Sequence, residues 1–289
     1  MIASLRTLLH SAVDYAGLFP PASLSLSESI LNFKSYQSLE SNWMLGNFII
    51  PAGQLDELRK ELEGVVEQKM VPVNLLSGSS TEDLKATADL VKKNTQSTIA
   101  ITAIETTIAP STKIKIPKEL MELRLPLYLE VPLAESSRNS FSEIARLGLR
   151  AKIRTGGVTR DAFPTAENVV RFLSSCIEFR IPFKATAGLH HPINGSFPLT
   201  YAPHSELAPM YGHLNLMLAT ACLLLGGNRD ESREILLESN RRSFQFSDVG
   251  VSWKDVFLPL DLLSKIRTEL FLSFGSCSFI EPANEASQF

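Results

Sequence analysis

Short apolar runs alternate with amphipathic runs along almost the whole chain. Runs with strand character fall at 47–50, 71–76, 98–104, 125–131, 150–154, 182–186 and 243–246. A weaker one lies near 11–15. Between them, the segments 54–68, 81–93, 140–147 and 165–179 place apolar residues at helical spacing. Thr165 stands where an N-cap belongs, with Glu167 in the first turn that follows. Strand, helix, strand, repeated this often, predicts an α/β fold with parallel strands. Seven clear strands and the weak one close a (β/α)₈ TIM barrel, with residues 1–289 as one domain. An open doubly wound sheet has the same alternation, but no G-x-G-x-x-G or P-loop pattern supports its nucleotide-binding form. The stretch 188–212 is rich in Pro, His and Gly and predicts a long loop after strand 7, shaped as a lid over the barrel mouth.

Alternate residues of a strand share a face. Lys152 and Arg154 therefore point one way and Ile153 the other, as do Lys184 and Thr186 against Phe183 and Ala185. An apolar strand that carries lysine must pair it, because an unpaired buried ammonium costs several kcal/mol. The cations are thus expected inside the barrel near its mouth. Glu105 and Glu130 end two earlier strands and are expected in the same mouth. These five charges leave a surplus of one positive charge, which favours an anionic ligand. Gly156, Gly157 and Gly188 follow the two cationic strands and allow backbone N–H groups to approach that anion. A lysine flanked by two other cations is expected to have a lowered pKa. Its neutral amine is then the nucleophile for a Schiff base, and a glutamate beside it moves the protons. A salt-bridged plug, in which the charges merely satisfy one another, accounts for the same residues.

The run Lys152-Ile-Arg-Thr-Gly-Gly, a helix, and then Phe183-Lys184-Ala-Thr-Ala-Gly resembles the paired-lysine signature of class I aldolases of the deoxyribose-phosphate aldolase type. The likeness covers about forty residues. It implies a TIM barrel with the Schiff-base lysine on the sixth strand and a second lysine on the seventh. On that likeness Lys152 forms the imine, Lys184 tunes its pKa and Gly188 belongs to an anion loop. It implies no cofactor and no metal. Arg154 stands where that family has serine, and Ala187 where it has a glycine. Glu105 matches its strand-four acid only loosely, and Leu189-His190-His191-Pro192 is foreign to it.

The histidines open a second reading. Of the five, His190, His191, His204 and His213 lie in or beside the long loop. His190, His191 and His204 with Glu105 or Glu130 make a metal-dependent hydrolase or isomerase. Neighbouring histidines on an extended chain point opposite ways, so only one of His190 and His191 is expected to face the mouth. A histidine there also serves as a substrate hydrogen-bond partner or proton shuttle. His213 is expected to start a helix over 213–225. A third reading is a non-catalytic barrel that holds an anion with the same cations. Asp14 either reaches the mouth to bind substrate or caps a turn, and 18–21 form a rigid apolar turn. The run 274–279 reads as a Gly-Ser turn over the barrel, with Cys277 a buried thiol lacking a local base.

Charge and composition narrow the partners. The net charge is −3, with 44% hydrophobic and 20% charged residues. No basic excess speaks for nucleic acid. Three scattered cysteines show neither a disulfide framework nor a zinc knuckle, as in a reduced, cytoplasmic protein. The longest uncharged apolar stretch, 214–225, is too short for a membrane span. Apolar helix surface at 223–225 serves either the core or a homo-oligomer. The expected partner is a small anionic carbonyl compound.

Overall fold

The computed structural model describes residues 1–63, 69–94, 98–107, 114–133 and 137–289. Eight runs of apolar residues pair as the barrel strands: β1 (Val13–Tyr15), β2 (Leu45–Pro51), β3 (Val71–Leu76) and β4 (Ile99–Thr107), then β5 (Leu127–Glu130), β6 (Arg150–Arg154), β7 (Phe183–Thr186) and β8 (Phe271–Ser276). Each pairs in parallel with the next, and β8 pairs with β1, so the sheet closes. This is the (β/α)₈ TIM barrel.

Helices cover the outside, and their starts are written in the sequence. Ser25 and Ser80 cap Leu26–Tyr36 and Thr81–Lys93, each closing a capping box with Glu28 or Asp83. The Thr165 side chain accepts from the Asn168 amide and opens Ala166–Glu178. The segment 54–68 is helical over Leu55–Glu61, and its end at 64–68 lies outside the described residues. Outward-facing residues of the strands meet these helices. Phe183 stands edge-on to Phe172 of Ala166–Glu178, with ring centroids 5.4 Å apart, and stacks on Phe271 at 5.0 Å. Ala151, Ile153 and Ala185 belong to the same continuous apolar layer.

The eighth strand differs from the sequence reading. Residues 243–246 do not close the barrel. Phe244–Ser247 is the edge of an antiparallel sheet with Gly250–Trp253 and Val256–Pro259. Its buried Phe244 beside exposed Gln245 is the alternation of a sheet with one solvated face. β8 is Phe271–Ser276, so the first half of the expected Gly-Ser turn is barrel wall. The excursion after β7 is also more ordered than a plain loop. It holds an antiparallel ribbon of Gly195–Pro198 with Leu207–Met210. The helix His213–Leu225 follows as expected. Leu223 and Leu224 pack half-buried on the core, and Leu225 is exposed. Among the described residues no helix is long and apolar enough to cross a membrane.

Candidate functional site

The barrel register places the charged side chains side by side. Lys152 is the direct neighbour of Lys184 across the β6–β7 pair and of Glu130 across β5–β6. Lys184 lies opposite Ser273 of β8. The pleat therefore turns both lysines inward.

They are joined through Glu105. Lys184 Nζ lies 2.6 Å from Glu105 Oε1, and Lys152 Nζ lies 2.9 Å from Oε2 of the same carboxylate. Lys184 also meets Asp14 Oδ2 at 2.5 Å, and Lys152 meets Glu130 Oε2 at 3.1 Å. Arg154 Nε closes the row on Glu130 Oε1 at 2.8 Å. The chain of charges thus runs Asp14, Lys184, Glu105, Lys152, Glu130, Arg154.

Neutral groups satisfy the remaining lone pairs. The Ser273 hydroxyl donates to Asp14 Oδ2 at 2.7 Å, and the Asn47 amide N–H donates to Oδ1 at 2.8 Å. The Asn74 side-chain amide donates to Glu105 Oε1 at 3.1 Å. Full pairing is what allows these charges to share a barrel interior, with Arg154 at its rim.

Two expectations fail here. The mouth carries no cationic surplus from this set, because Asp14 balances the third cation. Asp14 does not reach the mouth either: its carboxylate is fully buried beneath, on Lys184. The Lys184 ammonium is governed by its carboxylate neighbours. Burial alone pushes it down, but the Asp14 and Glu105 carboxylates outweigh burial and raise it above the ordinary lysine value. Glu105 responds in kind. Burial raises its pKa, but Lys184 and Lys152 outweigh that and lower it to about 2. Glu130 is lowered too, by Lys152 and Arg154 against its burial.

Above this row opens a cavity of about 800 Å³ at the C-terminal ends of the strands. Lys152, Glu105 and Arg154 line it, as do Gly156, Gly157, Gly188, His190, His191 and His204. Lys184 lies one step below, with 0% exposure against 4% for Lys152. The Arg154 side chain is 53% exposed and stands at the rim. The apolar turn after β1 contributes Phe19, Pro20 and Pro21 to the cavity wall.

The glycines have a packing reason. A Cβ on Gly156 would meet the Gly188 Cα at 2.9 Å, and one on Gly157 would meet Ala162 Cβ at 2.8 Å. Gly188 also has φ +72°. The turns after β6 and β7 lie backbone on backbone, and the Thr155 hydroxyl donates to the Ala187 carbonyl at 2.7 Å.

Both His190 and His191 line the cavity, where only one was expected. Glu281 and Glu285 of the helix Ile280–Ala286 lie four residues apart, on one helix face. They bond His190 Nδ1 at 2.8 Å and His191 Nδ1 at 2.7 Å. His191 also stacks on Phe197. The histidines are therefore engaged by these carboxylates and not by Glu105 or Glu130. Among the described residues no three His, Cys, Asp or Glu side chains form a group able to hold a metal ion. His213 starts its helix as expected, but fully buried, stacked on Phe274 at 4.6 Å.

Cys277, at the end of β8, does have a base beside it. His190 Nε2 lies 3.8 Å from its Sγ, and Tyr201 Oη lies 3.6 Å away. Burial pushes the His190 imidazole down, but Cys277 and Glu281 outweigh it and raise the pKa to about 9. Sequence reading missed this group because 87 residues separate Cys277 from His190 and 91 separate His190 from Glu281. No local spacing signals such a contact.

Compared with known proteins, the chain matches no protein-family model and no curated protein.

Proposed function

We propose that the chain is a single-domain enzyme that acts on a small anionic carbonyl compound through an imine at Lys152, in aldolase-like carbon–carbon lyase chemistry. One observation carries this reading: of two lysines sharing the Glu105 carboxylate, only Lys152 lines the cavity. Lys184 has every neighbour needed to stay charged, so its part is electrostatic.

The amine must first lose a proton. Glu130 is the acceptor in this reading, because Glu105 is shared with Lys184 and held near pKa 2. Arg154 lowers the Glu130 pKa from 2.8 Å away. An anionic group on the substrate that draws Arg154 toward itself removes part of that effect. Substrate binding thereby makes Glu130 a stronger base for Lys152, 3.1 Å away. The amine nitrogen then attacks the carbonyl carbon, the π pair moves to oxygen, and a proton passes from nitrogen to that oxygen to give a carbinolamine. Its hydroxyl leaves as water on taking the proton back from Glu130. The resulting iminium has the charge of the ammonium it replaces. The surrounding carboxylates need no rearrangement to stabilise it. A carbon–carbon bond to the carbon beside the former carbonyl can then break, its electron pair drawn toward the iminium nitrogen, while a hydroxyl on the departing carbon gives its proton to Glu130 and becomes a carbonyl.

The test is borohydride trapping with a panel of phosphorylated and carboxylated aldehydes and ketones, followed by mass mapping. The expected result is a substrate-dependent adduct at Lys152 that is absent from Lys152→Arg. No adduct across the panel, or adducts confined to surface lysines, overturns the imine. If Lys152→Arg turns over substrate like the parent, the cations serve binding alone.

A further inference from the structure

The cavity wall beyond β7 and β8 holds a second set of reactive side chains, unused by the imine. Four elements build it. β8 delivers Cys277, the segment after β7 delivers His190, the ribbon turn delivers Tyr201, and the C-terminal helix delivers Glu281. All four side chains line the cavity.

Their order is that of an activated thiol. Glu281 Oε2 lies 2.8 Å from His190 Nδ1 and fixes the ring with that nitrogen protonated. His190 Nε2 then faces Cys277 Sγ at 3.8 Å, within range of a sulfur hydrogen bond. The Tyr201 hydroxyl donates to the same Glu281 oxygen at 3.2 Å. Nucleophile, base and orienting carboxylate stand in sequence. Cys176 and Cys222 are also buried, but neither lines the cavity, and burial raises both thiols.

We propose that Cys277, activated by His190 and positioned by Glu281 through that ring, adds reversibly to the carbonyl carbon of an aldehyde held in the cavity. In the activated pair the thiol proton rests on His190 Nε2, leaving a thiolate beside an imidazolium. Sulfur attacks the carbon, the π pair moves to oxygen, and that oxygen takes the proton back from His190. The product is a thiohemiacetal, with no change in oxidation state. The choice of aldehydes rests on the carbonyl-substrate reading above. The activation of the thiol does not.

The experiment is alkylation by iodoacetamide from pH 5 to 9, with each cysteine followed by mass. The other titratable groups facing this set are Tyr15 and Tyr36 beside Cys277, and His191 beside Glu281. The tyrosines are raised and stay neutral across that range. Cys277 is expected to react at pH 6.5 about tenfold faster than in His190→Asn. Glu281→Gln is expected to move the profile toward that of His190→Asn. A Cys277 rate that His190→Asn leaves unchanged, or no reaction at Cys277, overturns the activation.

The second arm uses glycolaldehyde in Lys152→Arg, which cannot form an imine at that position. Slowing of Cys277 alkylation supports addition at sulfur, and no slowing overturns the aldehyde assignment. Borohydride trapping at Lys152 in the parent reads the imine separately, so each failure is assigned to its own site.

Discussion

Lys184 has the most exacting position in the molecule. It is fully buried, and two carboxylates stand within 2.6 Å of its nitrogen. Removing one partner of such a set costs far more than the set contributes, because the remaining charges have no water to turn to. Lys184→Met is therefore expected to destabilise the protein by about 3–5 kcal/mol at pH 7. The loss should shrink at pH 4, where Glu105, no longer held ionised by Lys184, can take a proton. Urea denaturation of both proteins at the two pH values checks this, and an equal loss at both would show that the carboxylates find other partners. Lys152→Arg tests the opposite property. Charge is retained, so folding is expected to survive, while the borohydride adduct disappears.

At the scale of elements, the turns after β6 and β7 are fixed by each other. Gly188 meets two constraints, a left-handed backbone and the Gly156 Cα 3.0 Å from where a Cβ would sit. Gly148, after the helix Arg138–Arg146, has φ +66° but open space around it. Gly148→Ala is expected to cost about 1 kcal/mol from backbone strain alone. Gly188→Ala must add the steric contact and is expected to cost about twice as much or more. Denaturant midpoints of the two variants separate strain from contact, and equal losses would remove the packing argument. The same loops show why the sequence was readable there. Lys152 and Lys184 stand in short strands flanked by apolar residues, and a period of two fixes which way they face. β8 was hidden because Ser273, Gly275 and Ser276 interrupt its apolar character. Asp14 was visible as a candidate, but its pairing with Lys184 spans 170 positions and follows only from ring closure. The network Cys277, His190, Glu281 was invisible for the same reason.

Across the whole molecule, the buried titratable groups set opposing limits on the stable pH range. Glu105 has a depressed pKa of about 2, so its contribution is present above the ordinary carboxylate value and is lost as pH falls toward 2. His190 is raised to about 9, so its contribution is complete below pH 6.5 and is lost as pH rises toward 9. His213 acts earlier on the acid side. Burial lowers its pKa to about 3, with His191 adding to the effect. Its ring nitrogens are buried, with no hydrogen-bond partner among the described residues, and its face lies on Phe274. The ring is thus neutral when folded but binds a proton below about pH 6.5 when unfolded. Stability is therefore expected to fall as pH drops from about 6.5 toward 3, by an amount on the order of a few kcal/mol. His213→Phe keeps the stacked ring and removes the titration. That variant should match or exceed the parent at pH 7, since no buried nitrogen is left unpaired. Between pH 6.5 and 4.5, above the range where Glu105 titrates, its stability should be flat while the parent declines. Parallel denaturation curves over that interval would show that the acid sensitivity arises elsewhere.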